Sequence, residues 1–160
     1  MAESEPAGGE GVARGQIRLE RLYLKDASFE SPRSPAVFGE SWKPEMQLDI
    51  NTRTNPQDGD RFEVVLTVTL RAKLDDGRTA YIIEVQQAGL FVIQGAEDAV
   101  VHRVLGTMCP NALFPYVRET LDSLAVRGGF PAIQLAPVNF DALYEEALKQ
   151  RSSPENPVQH

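Results

Sequence analysis

The strongest strand signal in the chain is FEVVLTVTLRAKL, which occupies residues 62–74. This stretch is rich in β-branched residues and contains neither glycine nor proline, as expected of a well-packed strand. The turn sequence DDGR follows at residues 75–78, and a second strand-like run, YIIEVQQAGLFVI, occupies residues 81–93. Two such runs joined by a short turn with Asp-Gly predict an antiparallel β-hairpin.

Two more strands are predicted on the N-terminal side of this hairpin. Residues 46–52 alternate between apolar and polar side chains and end at the turn cluster NPQDGD. Residues 17–30 form another strand-like run, but its alternation slips near Leu22 and Tyr23, which is typical of a β-bulge. The second to fourth strands are therefore expected to form an antiparallel meander, which the connector at residues 31–45 joins to the first strand.

The sequence after residue 93 changes from strand to helix periodicity. Residues 97–108 place apolar side chains on one helical stripe, and a longer helix is expected from Pro110 to the Gly128–Gly129 pair. A third, amphipathic helix is predicted over residues 140–150. Strands followed by helices predict an α+β fold, in which the helices cover one face of a four-stranded antiparallel sheet.

The folded part of the chain is predicted to be one domain, residues 17–150. Residues 1–16 and 151–160 are poor in apolar residues and rich in Gly, Pro or polar residues, so we expect disordered tails. The N-terminal residues lack the apolar segment of a secretory signal, and no run approaches the roughly 20 apolar residues of a membrane helix. With Cys109 as its one cysteine, the chain is predicted to be cytoplasmic and without an internal disulfide.

Charge and missing motifs exclude several classes of function. The chain has 16 Lys+Arg against 23 Asp+Glu, a net charge of -7, which argues against a sequence-independent grip on nucleic acid. It has no Gly-rich phosphate loop, no His pair at metal-ligand spacing and no nucleophile elbow. The inward strand positions offer no His or carboxylate, and we expect His102 at the core edge and Cys109 buried. The chain is therefore predicted to be no enzyme and to bind neither metal nor cofactor.

The fourth strand presents two different faces. Tyr81, Ile83 and Val85 alternate toward the predicted helices, whereas Ile82 and Glu84 point away from them. The first strand alternates likewise, with polar residues at positions 26, 28 and 30. The outward face is either an ordinary solvated sheet surface or a docking patch for a basic partner. A bend or bulge is also expected at Gly89, which interrupts the fourth strand.

The connector between the first two strands is unusually apolar for a loop. Within 18 residues lie Phe29, Phe38, Trp42 and Met46, around a segment with several prolines. These side chains either plug the end of the core or line a groove for extended apolar segments, since aromatic residues and Met suit adaptable contacts.

Five long segments resemble the SecB family of bacterial export chaperones: YLKDASFESP (23–32), FGESWKPEMQLDI (38–50), YIIEVQQAGLF (81–91), LGTMCPNALFPYVRETLDSLAVRGGFP (105–131) and LAPVNFDALY (135–144). The resemblance implies a homotetramer, a dimer of dimers in which the helices lie between the sheets. It also implies an ATP-independent holdase that keeps unfolded preproteins translocation-competent and delivers them to the SecA motor.

The resemblance assigns roles to individual residues. It implies that the outward sheet face receives the zinc-bearing C-terminal segment of SecA at Asp26, Glu30, Ile82 and Glu84, with the zinc belonging to SecA. It places the client-binding groove at Phe29, Phe38, Trp42, Met46 and Tyr144. The alternative is a SecB-like chaperone of a toxin-antitoxin system, which would need the groove but not the full acidic patch. Neither nucleic acid nor direct membrane insertion is expected.

Overall fold

The β-strands of the chain form one sheet, and its helices pack on one side of that sheet. The computed structural model describes residues 15–152, and its strands are β1 (Gln16–Glu30), β2 (Glu45–Pro56), β3 (Arg61–Lys73) and β4 (Thr79–Gln94). The helices are α1 (Asp98–Gly106), α2 (Met108–Arg127) and α3 (Phe140–Ser152), and a short 3-10 turn spans Ala36–Gly39. Of the predicted tails, only residues 15, 16, 151 and 152 are described. Gln16 already belongs to β1, and Arg151 and Ser152 still belong to α3, so both predicted boundaries are corrected outward.

The sheet contains the predicted meander of β2, β3 and β4, and β1 joins it beside β4. Its strand order is β1-β4-β3-β2 and every pairing is antiparallel, so β4 and β3 are central while β1 and β2 are edges. The α+β prediction is therefore confirmed. β2 runs further than predicted and ends at Pro56, because an edge strand tolerates a proline whose missing N–H has no partner strand to bond.

The core lies between the sheet and α2. The β4 side chains of Tyr81, Ile83 and Val85 are fully buried on this inner face, as predicted, and meet Leu113 and Leu121 of α2 in one apolar cluster. α2 lies over β4 and β3, whereas α3 packs on α1 and α2. The inner side of β2 is consequently covered least, and Met46 and Leu48 stay more than a third exposed there.

Two local expectations need correction. The predicted slip in β1 is a pair of bulges, between Leu19 and Arg21 and between Leu24 and Asp26, which flank the expected position. Gly89 carries no bulge and pairs in regular register on both sides. A Cβ at position 89 would lie 2.7 Å from the ring of Phe91 and 3.1 Å from the Leu113 side chain, so the glycine lets α2 approach the sheet.

Within residues 15–152, no helix is long and apolar enough to cross a membrane.

Candidate functional site

Five aromatic rings meet at the end of α2 and form what we call the aromatic cluster. Phe130 lies at its centre, with its ring centroid 4.8 Å from Tyr81, 5.1 Å from Trp42 and 5.4 Å from Phe38. The fifth ring, Phe29, lies 6.0 Å from Tyr81 and 6.4 Å from Phe130. Phe130 is only 5% exposed, whereas Phe38 is 51% exposed, so the cluster has a buried floor and an open edge.

The end of α2 gives the cluster its shape. The Phe130 N–H donates to the carbonyl of Ala125 at 2.9 Å, and Gly129 adopts a φ of +88°, a left-handed conformation that closes many helices. A Cβ at Gly128 would lie 2.1 Å from Cζ of Phe29, so this position must lack a side chain for the ring to sit where it does. The glycine pair therefore both ends the helix and makes room for Phe29.

An ion pair fixes the connector that carries Phe38 and Trp42. The guanidinium of Arg78, in the turn between β3 and β4, donates to both carboxylate oxygens of Glu40 at 3.2 and 3.1 Å. Arg78 also donates to Asp76 in the same turn. Bidentate pairs of this kind set both distance and orientation, so the hairpin turn positions the connector beside Tyr81.

An apolar strip continues from the cluster along the inner side of β2, formed by Met46, Leu48 and Ile50. The Met46 sulfur lies 3.9 Å from the Tyr81 hydroxyl, and Met46 itself is 38% exposed. The strip leads into an open cavity of about 600 Å³ between β2, α1 and α3. Its apolar walls include Ile50, Phe62, Leu105, Phe140 and Tyr144.

Tyr144 is separated from the other four residues of the predicted groove. Its hydroxyl lies 2.6 Å from Nδ1 of His102, and the guanidinium of Arg103 stacks 5.1 Å from its ring centroid. From Met46 to Ile50 the strand rises roughly 13 Å, so Tyr144 belongs to the far end of the apolar strip. The structure thus places Phe29, Phe38, Trp42 and Met46 at one end and Tyr144 at the other.

The outward face of the sheet brings the four predicted partner-binding residues together. Glu30 pairs with Ile82, Ser28 pairs with Glu84, and Asp26 lies in the next row opposite Gln86. Thr69 of β3 lies beside Glu84 and donates to its carboxylate at 3.4 Å. The same row reaches Asp49 of β2. We call the set Asp26, Glu30, Asp49, Ile82 and Glu84 the acidic face.

Sequence reasoning missed Phe130 of the aromatic cluster and Asp49 of the acidic face. Phe130 follows the helix-ending glycines and carries no periodicity, and Asp49 is one of two acidic residues in the edge strand β2. Only the strand register and the return of the chain after α2 bring these residues to the two surfaces.

A second outward cluster centres on Glu63. Its carboxylate accepts hydrogen bonds from the Tyr23 hydroxyl, from Lys25 Nζ at 2.9 and 3.1 Å and from Asn55 Nδ2 at 2.8 Å. These bonds, the one from Tyr23 foremost, lower the pKa of Glu63 from 4.5 to about 2. Burial, together with the Glu63 carboxylate, raises the pKa of Tyr23 to about 12. Glu63 therefore stays charged under all ordinary conditions.

The lowered pKa of Glu63 predicts an acid sensitivity. The unfolded carboxyl titrates near 4.5 and the folded one near 2, so the unfolded chain binds more protons between these values. The stability that Glu63 contributes is complete above pH of about 4.5 and is lost as the pH falls toward 2. We expect the urea midpoint of Glu63→Gln to fall less between about pH 5 and about pH 3 than that of the unmodified chain. Parallel decreases in the two midpoints would contradict this expectation.

The surroundings of Cys109 and His102 bear on whether the chain can supply reaction chemistry. Burial raises the pKa of the Cys109 thiol to about 12, which leaves it a protonated core residue. His102 bonds to Tyr144 on the helical side of the sheet, opposite to the acidic face. Within residues 15–152, no three His, Cys, Asp or Glu side chains are close enough to hold a metal ion.

Comparison with known proteins identifies close relatives. The profile of the family described as preprotein translocase subunit SecB matches residues 11–151. Protein-export protein SecB of Hahella chejuensis is 53% identical over 146 residues, covering 89% of this chain and 91% of the relative. Protein-export protein SecB of Pseudomonas aeruginosa is 49% identical over 159 residues, covering 99% of this chain and 98% of the relative.

One solved structure shares the fold. It is a SecB-like chaperone of Mycobacterium tuberculosis in complex with a ChAD peptide from an antitoxin, at 21% sequence identity and a TM-score of 0.63. The match covers 80% of this chain and 93% of that one. At this identity the likeness concerns the arrangement of the sheet and helices.

Proposed function

This chain belongs to the SecB family of preprotein translocase subunits, and on that premise we propose that it is an ATP-independent holdase for unfolded preproteins. In this proposal the aromatic cluster and the apolar strip capture client segments, and the acidic face delivers the loaded chaperone to SecA. The chain acts in the cytoplasm as a homotetramer and catalyses no reaction.

The observation that carries the proposal is the open aromatic cluster. A folded protein normally hides its large apolar side chains, so a surface that attracts them selects non-native chains without reading a sequence. Each square ångström of apolar area removed from water contributes roughly 25 cal/mol. The half-exposed ring of Phe38, together with Met46 and Leu48, supplies such a surface beside a rigid aromatic floor.

Assembly into a tetramer is supported by apolar side chains that a single chain leaves exposed. More than a third of the surface of each is open to solvent: Ile17, Leu19 and Leu24 of β1, and Val100, Met108, Tyr116 and Val126 of the helices. Further copies of the chain would cover these positions. Several grooves on one assembly would then engage one long client, so that modest affinities combine through a high effective concentration.

A chaperone dedicated to a toxin-antitoxin pair is less well supported. The relatives named for protein export are 48–53% identical over most of their length, whereas the SecB-like chaperone bound to an antitoxin peptide is 21% identical. A chaperone of a toxin-antitoxin pair would need the client-binding groove but not the acidic face, which this chain also has. Protein export is therefore the function we assign.

A refolding experiment tests the holdase assignment. A slow-folding preprotein is unfolded chemically and diluted with or without a stoichiometric amount of the assembled chain, in the absence of nucleotide. We expect refolding to stop in the presence of the chain, because binding the unfolded state withdraws it from the folding equilibrium, and we expect SecA to relieve the arrest.

Two variants of Phe38 test in the same assay whether the aromatic cluster binds the client. Phe38→Ser removes the exposed ring and should weaken the arrest by roughly tenfold in the concentration required, whereas Phe38→Tyr keeps the ring and should act like the unmodified chain. Because Phe38 is half exposed, neither change should alter the thermal midpoint much. Unchanged refolding of several slow-folding clients with the unmodified chain would refute the proposed function.

A further inference from the structure

Each bulge of β1 inserts one extra residue, and each extra residue forms an ion pair with β3 across the intervening strand β4. At the first bulge, Glu20 Oε2 lies 3.3 Å from Arg61 Nε. At the second bulge, Lys25 Nζ lies 2.9 Å from Glu63 Oε1. The two ion pairs are thus alike in kind, in the strands they join and in the sheet face on which they lie.

The second bulge decides which side chains of the following segment face inward. Leu24 is opposite Gln87 and Asp26 is opposite the next residue, Gln86, so Lys25 is an inserted residue with no opposite residue on β4. Because side chains alternate with a period of two, one inserted residue exchanges the two faces of everything after it. With the bulge in place, Phe29 points into the aromatic cluster and Glu30 lies on the acidic face. Without it, the two would exchange sides.

The carboxylate that holds this bulge is more firmly placed than its counterpart. Glu63 of β3 accepts hydrogen bonds from Lys25 and Tyr23, which both lie on β1, and from Asn55 of β2. Its carboxylate therefore links three strands of the sheet. Its side chain is 13% exposed, against 21% for Glu20, which bonds to Arg18 and Arg61. Well-satisfied, partly buried charged hydrogen bonds are the ones that fix geometry.

We propose that the Lys25–Glu63 ion pair is a positioning pair for both binding surfaces, holding Phe29 inward and Asp26 and Glu30 outward at once. The inference rests on the proposed function, since it assigns one structural cause to client capture and to partner docking. It makes residues 26–30 a shared element, in which alternate side chains serve opposite faces of the sheet. Loosening this segment must therefore weaken both activities together.

The two ion pairs provide a matched comparison. Glu63→Gln removes the carboxylate charge at the second bulge, and Glu20→Gln removes it at the first. Trp42 is the one tryptophan of the chain and lies against Tyr81 and Phe130, so its emission reports the aromatic cluster without any client. We expect a shift of Trp42 emission and faster amide exchange at residues 26–30 in Glu63→Gln, and neither change in Glu20→Gln.

Binding is measured in the same variants with two probes, a permanently unfolded carboxymethylated protein and an oligolysine peptide. In Glu63→Gln both affinities should fall by a similar factor, roughly tenfold, and in Glu20→Gln neither should change. Lys25→Gln should reproduce the double loss, and Lys25→Arg, which keeps the cation, should not. Equal losses in the Glu63 and Glu20 variants would indicate general destabilisation and overturn the inference.

The design separates this inference from the proposed function. If the unmodified chain binds neither probe, the proposed function fails, while Trp42 emission and amide exchange still decide whether the pair positions residues 26–30. A Glu63→Gln chain with unmodified emission and exchange would overturn the positioning role, whatever the chain binds.

Discussion

Gly128→Ala is expected to disrupt the aromatic cluster and to weaken the binding of unfolded polypeptides by at least about tenfold. The new Cβ would lie 2.1 Å from Cζ of Phe29, far inside contact distance, so the ring must leave its place between Tyr81 and Phe130. Overpacking of this kind costs about 1–3 kcal/mol of folding free energy. Urea unfolding measures that cost, and titration with a carboxymethylated unfolded protein measures the loss of binding.

A matched glycine and a second substitution show whether the clash is the cause. A Cβ at Gly39, in the connector, would meet no atom within 4 Å, so Gly39→Ala should leave stability and binding unchanged. In the background of Phe29→Ala, the ring that Gly128→Ala displaces is absent, so the stability cost at position 128 should largely vanish. An additive cost in the double variant would show that the added methyl group acts on the backbone at the end of α2 instead.

The sequence was sufficient to predict most of the architecture, since the relevant signals are local. The β3–β4 hairpin follows from the periodicity of residues 62–74 and 81–93 and from the Asp-Gly turn between them. These signals do not depend on contacts with the rest of the chain. The helix ending at Gly128 and Gly129 follows from the same kind of local signal. The inward side of β4 follows too, because the apolar alternation itself distinguishes the two faces.

Features that depend on contacts distant in sequence were predicted poorly. Gly89 looks like a bulge in isolation, and only the packing of Leu113 from α2 explains why a side chain is excluded there. Two bulges in β1 produce one visible slip, since the second restores the alternation that the first interrupted. Phe130 joins the aromatic cluster only because the chain turns back after α2.

The candidate surfaces could be predicted in kind but not in extent. Aromatic residues in a proline-rich connector and carboxylates on an outward strand face are visible in the sequence. Whether these side chains lie close together depends on the strand register. The register places Glu30 beside Ile82 and places Asp49 in the same row as Glu84. Register also assigns neighbouring residues of one strand, Phe29 and Glu30, to opposite faces. The two proposed binding surfaces therefore receive side chains that are only one residue apart along β1.

Glu84→Lys is expected to abolish docking of the cationic C-terminal segment of SecA and to leave client capture intact. Glu84 lies at the centre of the acidic face, beside Ser28 and Thr69 and between Asp26 and Glu30 in the adjoining rows. Reversing the charge of Glu84 replaces its attraction to the cationic segment by a repulsion. Like charges placed opposite each other across an interface cost several kcal/mol of binding free energy. We expect the affinity for a synthetic SecA segment, loaded with its own zinc and measured by calorimetry, to fall by at least about a hundredfold.

The sheet separates this effect from client binding, because Glu84 points away from the aromatic cluster and accepts its hydrogen bond from Thr69 on the same outward face. Arrest of preprotein refolding by Glu84→Lys should therefore match that of the unmodified chain, while relief by SecA should be lost. Glu146→Lys makes the same change of net charge on the exposed side of α3 and should preserve both steps. Raising the salt concentration should weaken docking more than capture, since exposed charges are screened while apolar burial is not. A Glu84→Lys chain that no longer assembles would instead place this face in the contact between copies, and the docking assignment would be wrong.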